Sequence, residues 1–132
     1  MKIEWISLEN KTDYRGSLIV AEAQKNIPFE IKRMYCIYNV PDQNNRGLHA
    51  HRELQQVMLC VAGSCQVMLD NGHEKTVVIL QQNGMGLLID KMIWREMSHF
   101  SKDCVLIVLA SAWYDEADYI RDYDEFKKQA ML

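Results

Sequence analysis

The chain has 132 residues, 48% hydrophobic and 25% charged, with a formal net charge of −3. That length and balance predict one globular domain over 1–132 with a sizeable core, and exclude a disordered chain. The acidic excess leaves no basic footprint for nucleic acid, and no run approaches the ~18 apolar residues of a membrane span. Met1-Lys2-Ile3-Glu4-Trp5 lacks the apolar core of a secretory signal, so a cytoplasmic location is expected.

In chain order, most segments read as short strands. Leu18–Glu22 is a brief apolar run after Arg15-Gly16. Ile31–Val40 alternates, with Arg33, Tyr35 and Ile37 on one face and Met34, Cys36 and Tyr38 on the other. A loop dense in turn formers leads to Gly47, and strands are predicted at Gln55–Val61 and Cys65–Leu69 around a Gly63-Ser64 turn. Asn71-Gly72 between two apolar runs predicts a tight hairpin into Lys75–Leu80. Leu87–Ile89 and Val105–Ala110 complete the set, which argues for an antiparallel sandwich or barrel. Tyr119, Ile120, Tyr123, Phe126 and Lys127 recur at helical spacing, predicting one amphipathic helix over about 117–131. Cys36, Cys60, Cys65 and Cys104 form no C-x-x-C pair and read as free thiols of a reducing compartment.

His49 and His51 are separated by one residue, so on a strand both imidazoles project from one face. Such a pair serves as metal ligands, as a general acid and base, or as structural residues. Arg15, Arg33, Arg46 and Arg95 lie on segments that a barrel would gather, and guanidinium forks suit a diphosphate. Trp94 and Tyr35 are candidates for stacking on a base or packing on a sugar face, with core packing the competing role.

Gly47-Leu-His-Ala-His-Arg-Glu-Leu-Gln-Gln-Val-Met-Leu-Cys-Val-Ala-Gly, ending at the Gly63 turn, has the layout of the first motif of a cupin barrel. Gln56 stands where a metal-binding cupin has its glutamate, and a second motif laid from Gly86 puts Met97 at the expected histidine. Two of the usual four ligands are missing, which turns the reading from metal toward histidine acid–base chemistry. Tyr14-Arg-Gly-Ser-Leu, Arg46-Gly-Leu-His-Ala-His, Gly63-Ser-Cys-Gln-Val and Tyr114-Asp-Glu-Ala-Asp-Tyr-Ile-Arg extend the match over nearly the whole chain. In these segments the chain resembles the dTDP-4-oxo-6-deoxy-D-glucose 3,4-ketoisomerases, a sugar-nucleotide branch of the cupins.

The resemblance implies an all-β, cupin-type antiparallel barrel (jelly roll) with one carboxy-terminal helix, a homodimer, no metal and no other cofactor. It implies a dTDP-linked 4-oxo-6-deoxyhexose as substrate, in deoxysugar biosynthesis. Its paired histidines match His49 and His51, and its ligand-contacting positions match Arg15, Arg33, Tyr35 and Arg46. Gln56, Trp94 and Arg95 join the expected substrate-binding set, although some members carry histidine where this chain has Arg95. In the expected mechanism His51 moves the carbon proton and His49 supports it, through an enediolate that a tyrosine hydroxyl such as that of Tyr35 stabilises. The alternatives are a 3,5-epimerase on the same substrate, a non-catalytic sugar-nucleotide-binding cupin and a metal-dependent dioxygenase.

Overall fold

The computed structural model describes residues 1–41 and 43–132. Two five-stranded antiparallel sheets face each other. The first runs in the order β1 (Glu4–Ser7), β9 (Met85–Ile89), β6 (Gln56–Ala62), β11 (Val105–Ala110) and β4 (Arg33–Tyr38). The second runs β12 (Tyr119–Ile120), β5 (Arg46–His51), β10 (Trp94–Ser98), β7 (Ser64–Asp70) and β8 (Lys75–Gln81). This is the expected cupin-type jelly roll. Among the described residues, strands β2 (Glu9–Asp13) and β3 (Gly16–Val20) pair only with each other.

The core lies where the two inner faces meet. Met58, Cys60, Leu106 and Val108 from the first sheet pack against Cys65, Val67, Leu69 and Met97 from the second. Full burial stabilises such a side chain by roughly 1.5–3 kcal/mol. The odd-numbered residues of β6, Val57 and Leu59, point the other way, and Leu8, Ile27 and Phe29 cover them. Both faces of β6 are therefore apolar, which is why its sequence runs hydrophobic without alternation.

Three expectations change at this level. The helix α1 spans Tyr123–Ala130, not 117–131, with Asp122 as its cap accepting from the Glu125 amide. Residues Glu116–Asp118 form a 3-10 turn, and Tyr119 and Ile120 pair with His51 and Ala50. Edge pairing to β5 overrides the helical spacing there. The Asn71-Gly72 turn is a four-residue loop, since Asp70 pairs with Lys75. Gly72 supplies the positive φ (94°), and the Asn71 side chain accepts from the His73 and Glu74 amides. Strand β10 was not foreseen, because its inward residue after the buried Trp94 is a charged one, Arg95.

Candidate active site

The two sheets open around a cavity of about 320 Å³ lined chiefly by Arg33, Tyr35, Arg46, His49, Tyr119 and Arg121. Arg33 and Tyr35 come from the inner face of β4, the edge strand of the first sheet. Arg46 and His49 come from β5, and Tyr119 and Arg121 from the segment laid beside it. The lining is thus mixed: three guanidinium groups, two phenols and one imidazole.

A β-bulge aims the imidazole. Arg95 stands opposite His49 and Glu96 opposite Gly47, so Leu48 has no partner in β10. Gly47 and Leu48 both have positive φ, 86° and 59°, and Leu48 is turned outward. The extra residue kinks β5 and re-aims the side chains beyond it. His49 Nδ1 then lies 3.0 Å from the Gly47 carbonyl oxygen. A carbonyl can only accept, so Nδ1 carries the hydrogen. Burial, and next the Arg95 guanidinium, push the His49 pKa down to about 4, so the ring is neutral at pH 7. Its Nε2 is left as an unprotonated lone pair, buried and without a protein partner among the described residues.

His51 shares the strand face but not the cavity wall. It is 1% exposed and sits beneath, its Nδ1 3.0 Å from Asp118 Oδ2. Burial first, then Arg95, hold its pKa down to about 2. The two rings meet edge to face at 4.9 Å between centroids, and Tyr119 packs on both, at 4.8 and 4.3 Å.

Under the cavity floor, Arg95 is also 1% exposed. Its guanidinium donates to Gln56 Oε1 and, at 2.9 Å, to the Ile93 carbonyl. With its oxygen taken, the Gln56 amide turns Nε2 to Tyr35 Oη at 3.0 Å. The phenol accepts that bond, so its own hydrogen is free to point into the cavity. Burial raises the Tyr35 pKa, which keeps the hydroxyl protonated and able to donate. Burial also lowers Arg95 to about 10, still a cation at neutral pH. Gln56 and Arg95, expected to touch substrate, are buried behind Tyr35 and do not line the cavity.

Two expected binding residues lie elsewhere. Arg15 is exposed at the β2–β3 turn, paired with Asp13 at 2.7 Å, outside the cavity of its own chain. Trp94 points to the opposite face of β10 from Arg95 and is buried against Phe126 and Tyr123 of α1. That packing fills its ring and corrects the expectation of a substrate contact. Glu53, two residues after His51, and His99, close to Met97, are both exposed, so neither stands in for the missing metal ligands. Asp118, Tyr119 and Arg121 were not foreseen, because a helix was expected there. Read as a strand, Tyr119 and Arg121 fall on one face, two residues apart.

The family model described as "FdtA: WxcM-like, C-terminal" matches residues 1–131. A "TDP-4-oxo-6-deoxy-alpha-D-glucose-3,4-oxoisomerase" of Aneurinibacillus thermoaerophilus is 48% identical over 128 residues, covering 97% of this chain and 92% of the relative. A 3,4-ketoisomerase crystal structure from Helicobacter canadensis superposes with a TM-score of 0.95 at 46% identity, covering 100% of this chain and 99% of that one. The ketoisomerase of Thermoanaerobacterium thermosaccharolyticum, solved as a histidine-to-asparagine mutant in complex with TDP-4-keto-6-deoxyglucose, gives 0.95 at 40% identity, with 97% and 93% covered. The match over the whole chain, in sequence and in fold, places this protein in the family of dTDP-4-oxo-6-deoxy-D-glucose 3,4-ketoisomerases.

Proposed function

We propose that this chain converts dTDP-4-oxo-6-deoxy-D-glucose to a dTDP-3-oxo-6-deoxyhexose, with His49 as the carbon base. One observation carries the reading: His49, its ring fixed by Gly47 and its Nε2 lone pair left without a partner among the described residues, lines a cavity that also holds three guanidinium groups and the Tyr35 phenol. Arg33, Arg46 and Arg121 suit the diphosphate. The ketone at carbon 4 acidifies the hydrogen on carbon 3, and His49 Nε2 removes it. The electron pair enters an enediolate over carbons 3 and 4. The Tyr35 hydroxyl, oriented through Gln56, donates to the oxygen where charge develops. Protonation of carbon 4 and transfer of the hydroxyl hydrogen from oxygen 3 to oxygen 4 complete the shift. Nothing is oxidised or reduced overall. This assigns to His49 the carbon step that the sequence reading gave to His51, because His49 is the one on the cavity wall.

The chemistry proposed needs no metal. The position of the lost carboxylate is filled by Gln56, whose oxygen is bonded to a buried cation that would repel a dication. Turnover is expected to survive exhaustive chelation; activity lost with chelator and restored by zinc, iron or manganese would refute this.

The functional test is proton NMR of the product formed in deuterated water. A ketoisomerase gives a 3-oxo sugar labelled at carbon 4. A 3,5-epimerase gives a 4-oxo sugar labelled at carbons 3 and 5, and a non-catalytic binder gives neither.

A homodimer and a cytoplasmic location complete the proposal. The hairpin β2–β3 adds to neither large sheet of its own chain, and β4 ends the first sheet with Met34 and Tyr38 outward at 57% and 62% exposure. Free edges of this kind favour pairing with a second copy. The unpaired thiols Cys36, Cys60, Cys65 and Cys104 suit a reducing compartment, and among the described residues no helix is long and apolar enough to cross a membrane.

A further inference from the structure

Asp118 lies outside the cavity, yet both of its carboxylate oxygens are committed to the strand that carries the histidines. Oδ2 accepts from His51 Nδ1 at 3.0 Å, and Oδ1 accepts the Glu53 backbone N–H at 2.9 Å. The residue itself is held from both sides. Its carbonyl accepts the Arg52 N–H at 2.9 Å, and its own N–H donates to the Asp115 carbonyl at 3.0 Å. The Arg52 guanidinium donates to the carbonyls of Ala117 and Tyr119, at 3.0 and 2.8 Å. Three consecutive residues, His51, Arg52 and Glu53, thus grip residues 117–119. The grip fixes one ring: His51 Nδ1 must carry a hydrogen to reach a carboxylate, and its Nε2 is left bare and buried.

We propose that Asp118 is a positioning residue for the isomerisation: it holds His51 as the neutral Nδ1–H tautomer, packed edge to face against the base His49. This rests on the functional reading above. When His49 takes the carbon proton it becomes an imidazolium. A neutral neighbour backed by a carboxylate favours that charge, whereas a second imidazolium would oppose it. Burial and the nearby guanidinium groups of Arg95, Arg33 and Arg121 keep His51 uncharged. The carboxylate settles which nitrogen holds the hydrogen.

Substitution by asparagine discriminates. An amide has one accepting oxygen and one donating nitrogen. The Glu53 N–H can only donate, so the amide oxygen stays there and its NH₂ faces His51 Nδ1. Nδ1 must then accept, and the hydrogen moves to Nε2. Asp118→Asn should therefore invert the His51 tautomer, read by long-range ¹H–¹⁵N NMR of imidazole-labelled protein. Its kcat should fall by about 10²-fold or more with KM unchanged. Asp118→Glu, which keeps two acceptors, should keep the Nδ1–H tautomer and recover part of the loss. An inverted tautomer with wild-type kcat would overturn the proposal, as would lost kcat without inversion. Should Asp118→Asn fail to fold, the wild-type spectrum decides: an Nε2–H His51 at neutral pH sinks the idea. The spectrum needs no substrate, so a wild-type enzyme that makes no 3-oxo sugar refutes the functional reading separately.

Discussion

His49 donates its Nδ1–H to the carbonyl of Gly47, two residues earlier on its own strand, at 3.0 Å. The bond is possible because Gly47 and Leu48 both take positive φ, and only the first is a glycine. A Cβ on residue 47 would meet the Arg95 carbonyl at 3.0 Å and the Met97 methyl at 3.3 Å. The proposed base is thus oriented by a backbone conformation that side chains resist. Gly47→Ala is expected to cost about 1–2 kcal/mol from the left-handed backbone alone. It should also slow turnover, because the tilted carbonyl no longer holds the ring. His49→Asn should fold, keep TDP binding and lose nearly all exchange of the carbon 3 hydrogen with solvent. Exchange at the wild-type rate in His49→Asn would remove His49 as the base.

The depressed pKa of His49 predicts the acid limb of the rate profile. The base works unprotonated, so kcat/KM should stay level from neutral pH down to about 5. It should then fall tenfold per unit below the free-enzyme value of about 4. An unperturbed histidine would place the break near 6.5. Bound substrate brings a dianionic diphosphate toward the guanidinium groups, which favours imidazolium and raises the pKa. The limb in kcat should therefore lie at higher pH than the limb in kcat/KM. Arg95 is the largest charge acting on His49, so Arg95→Met should also move the kcat/KM limb upward. A break near 6.5 in the wild-type kcat/KM profile would show that burial and Arg95 do not set the base.

Trp94 separates a core role from a binding role. Its ring lies 5.8 Å from that of Phe126 and 5.2 Å from that of Tyr123, and its indole nitrogen donates to Glu96 Oε2 at 3.0 Å. Trp94→Ala should cost about 3–5 kcal/mol, as for other large-to-small core changes, and lower the Tm. TDP affinity, measured by calorimetry below the new melting point, should be unchanged. A stable variant with weakened TDP binding would return Trp94 to the substrate.

Legibility in the sequence tracks physical reach. Strand β4 was legible because alternation of period two is a local signal, and β11 because it is an unbroken apolar run. The paired histidines were legible for the same reason. Their unequal depth was not, because it depends on the bulge at Leu48 and on Asp118, which lies 67 residues from His51. The segment from Asp118 to Arg121 misled most. Its apolar spacing fits a helix, and only the vacant edge of β5 makes it a strand. Arg95 shows the opposite case: a charged residue expected among the substrate-binding set is fully buried, held by Gln56 and a carbonyl.

Arg15 gives the sharpest test of the proposed dimer. In its own chain it lies at an exposed turn away from the cavity, while Arg33 and Tyr35 line that cavity from β4, whose other edge is free. A hairpin from a second copy laid on that edge would bring its Arg15 turn toward the arginine-lined wall. Light scattering should give about twice the 15.4 kDa chain mass at micromolar protein. Arg15→Ala should then raise KM for the sugar nucleotide, a charged hydrogen bond being worth about 1.5–3 kcal/mol. If each Arg15 serves its partner's site, Arg15→Ala and His49→Asn complement each other. A mixed dimer holds one site with both residues intact, so co-refolded equal amounts should recover about a quarter of wild-type activity at low substrate, statistically. Recovery no greater than the average of the two variants alone would show that Arg15 does not act across the interface. A fully active monomer would overturn the dimer itself.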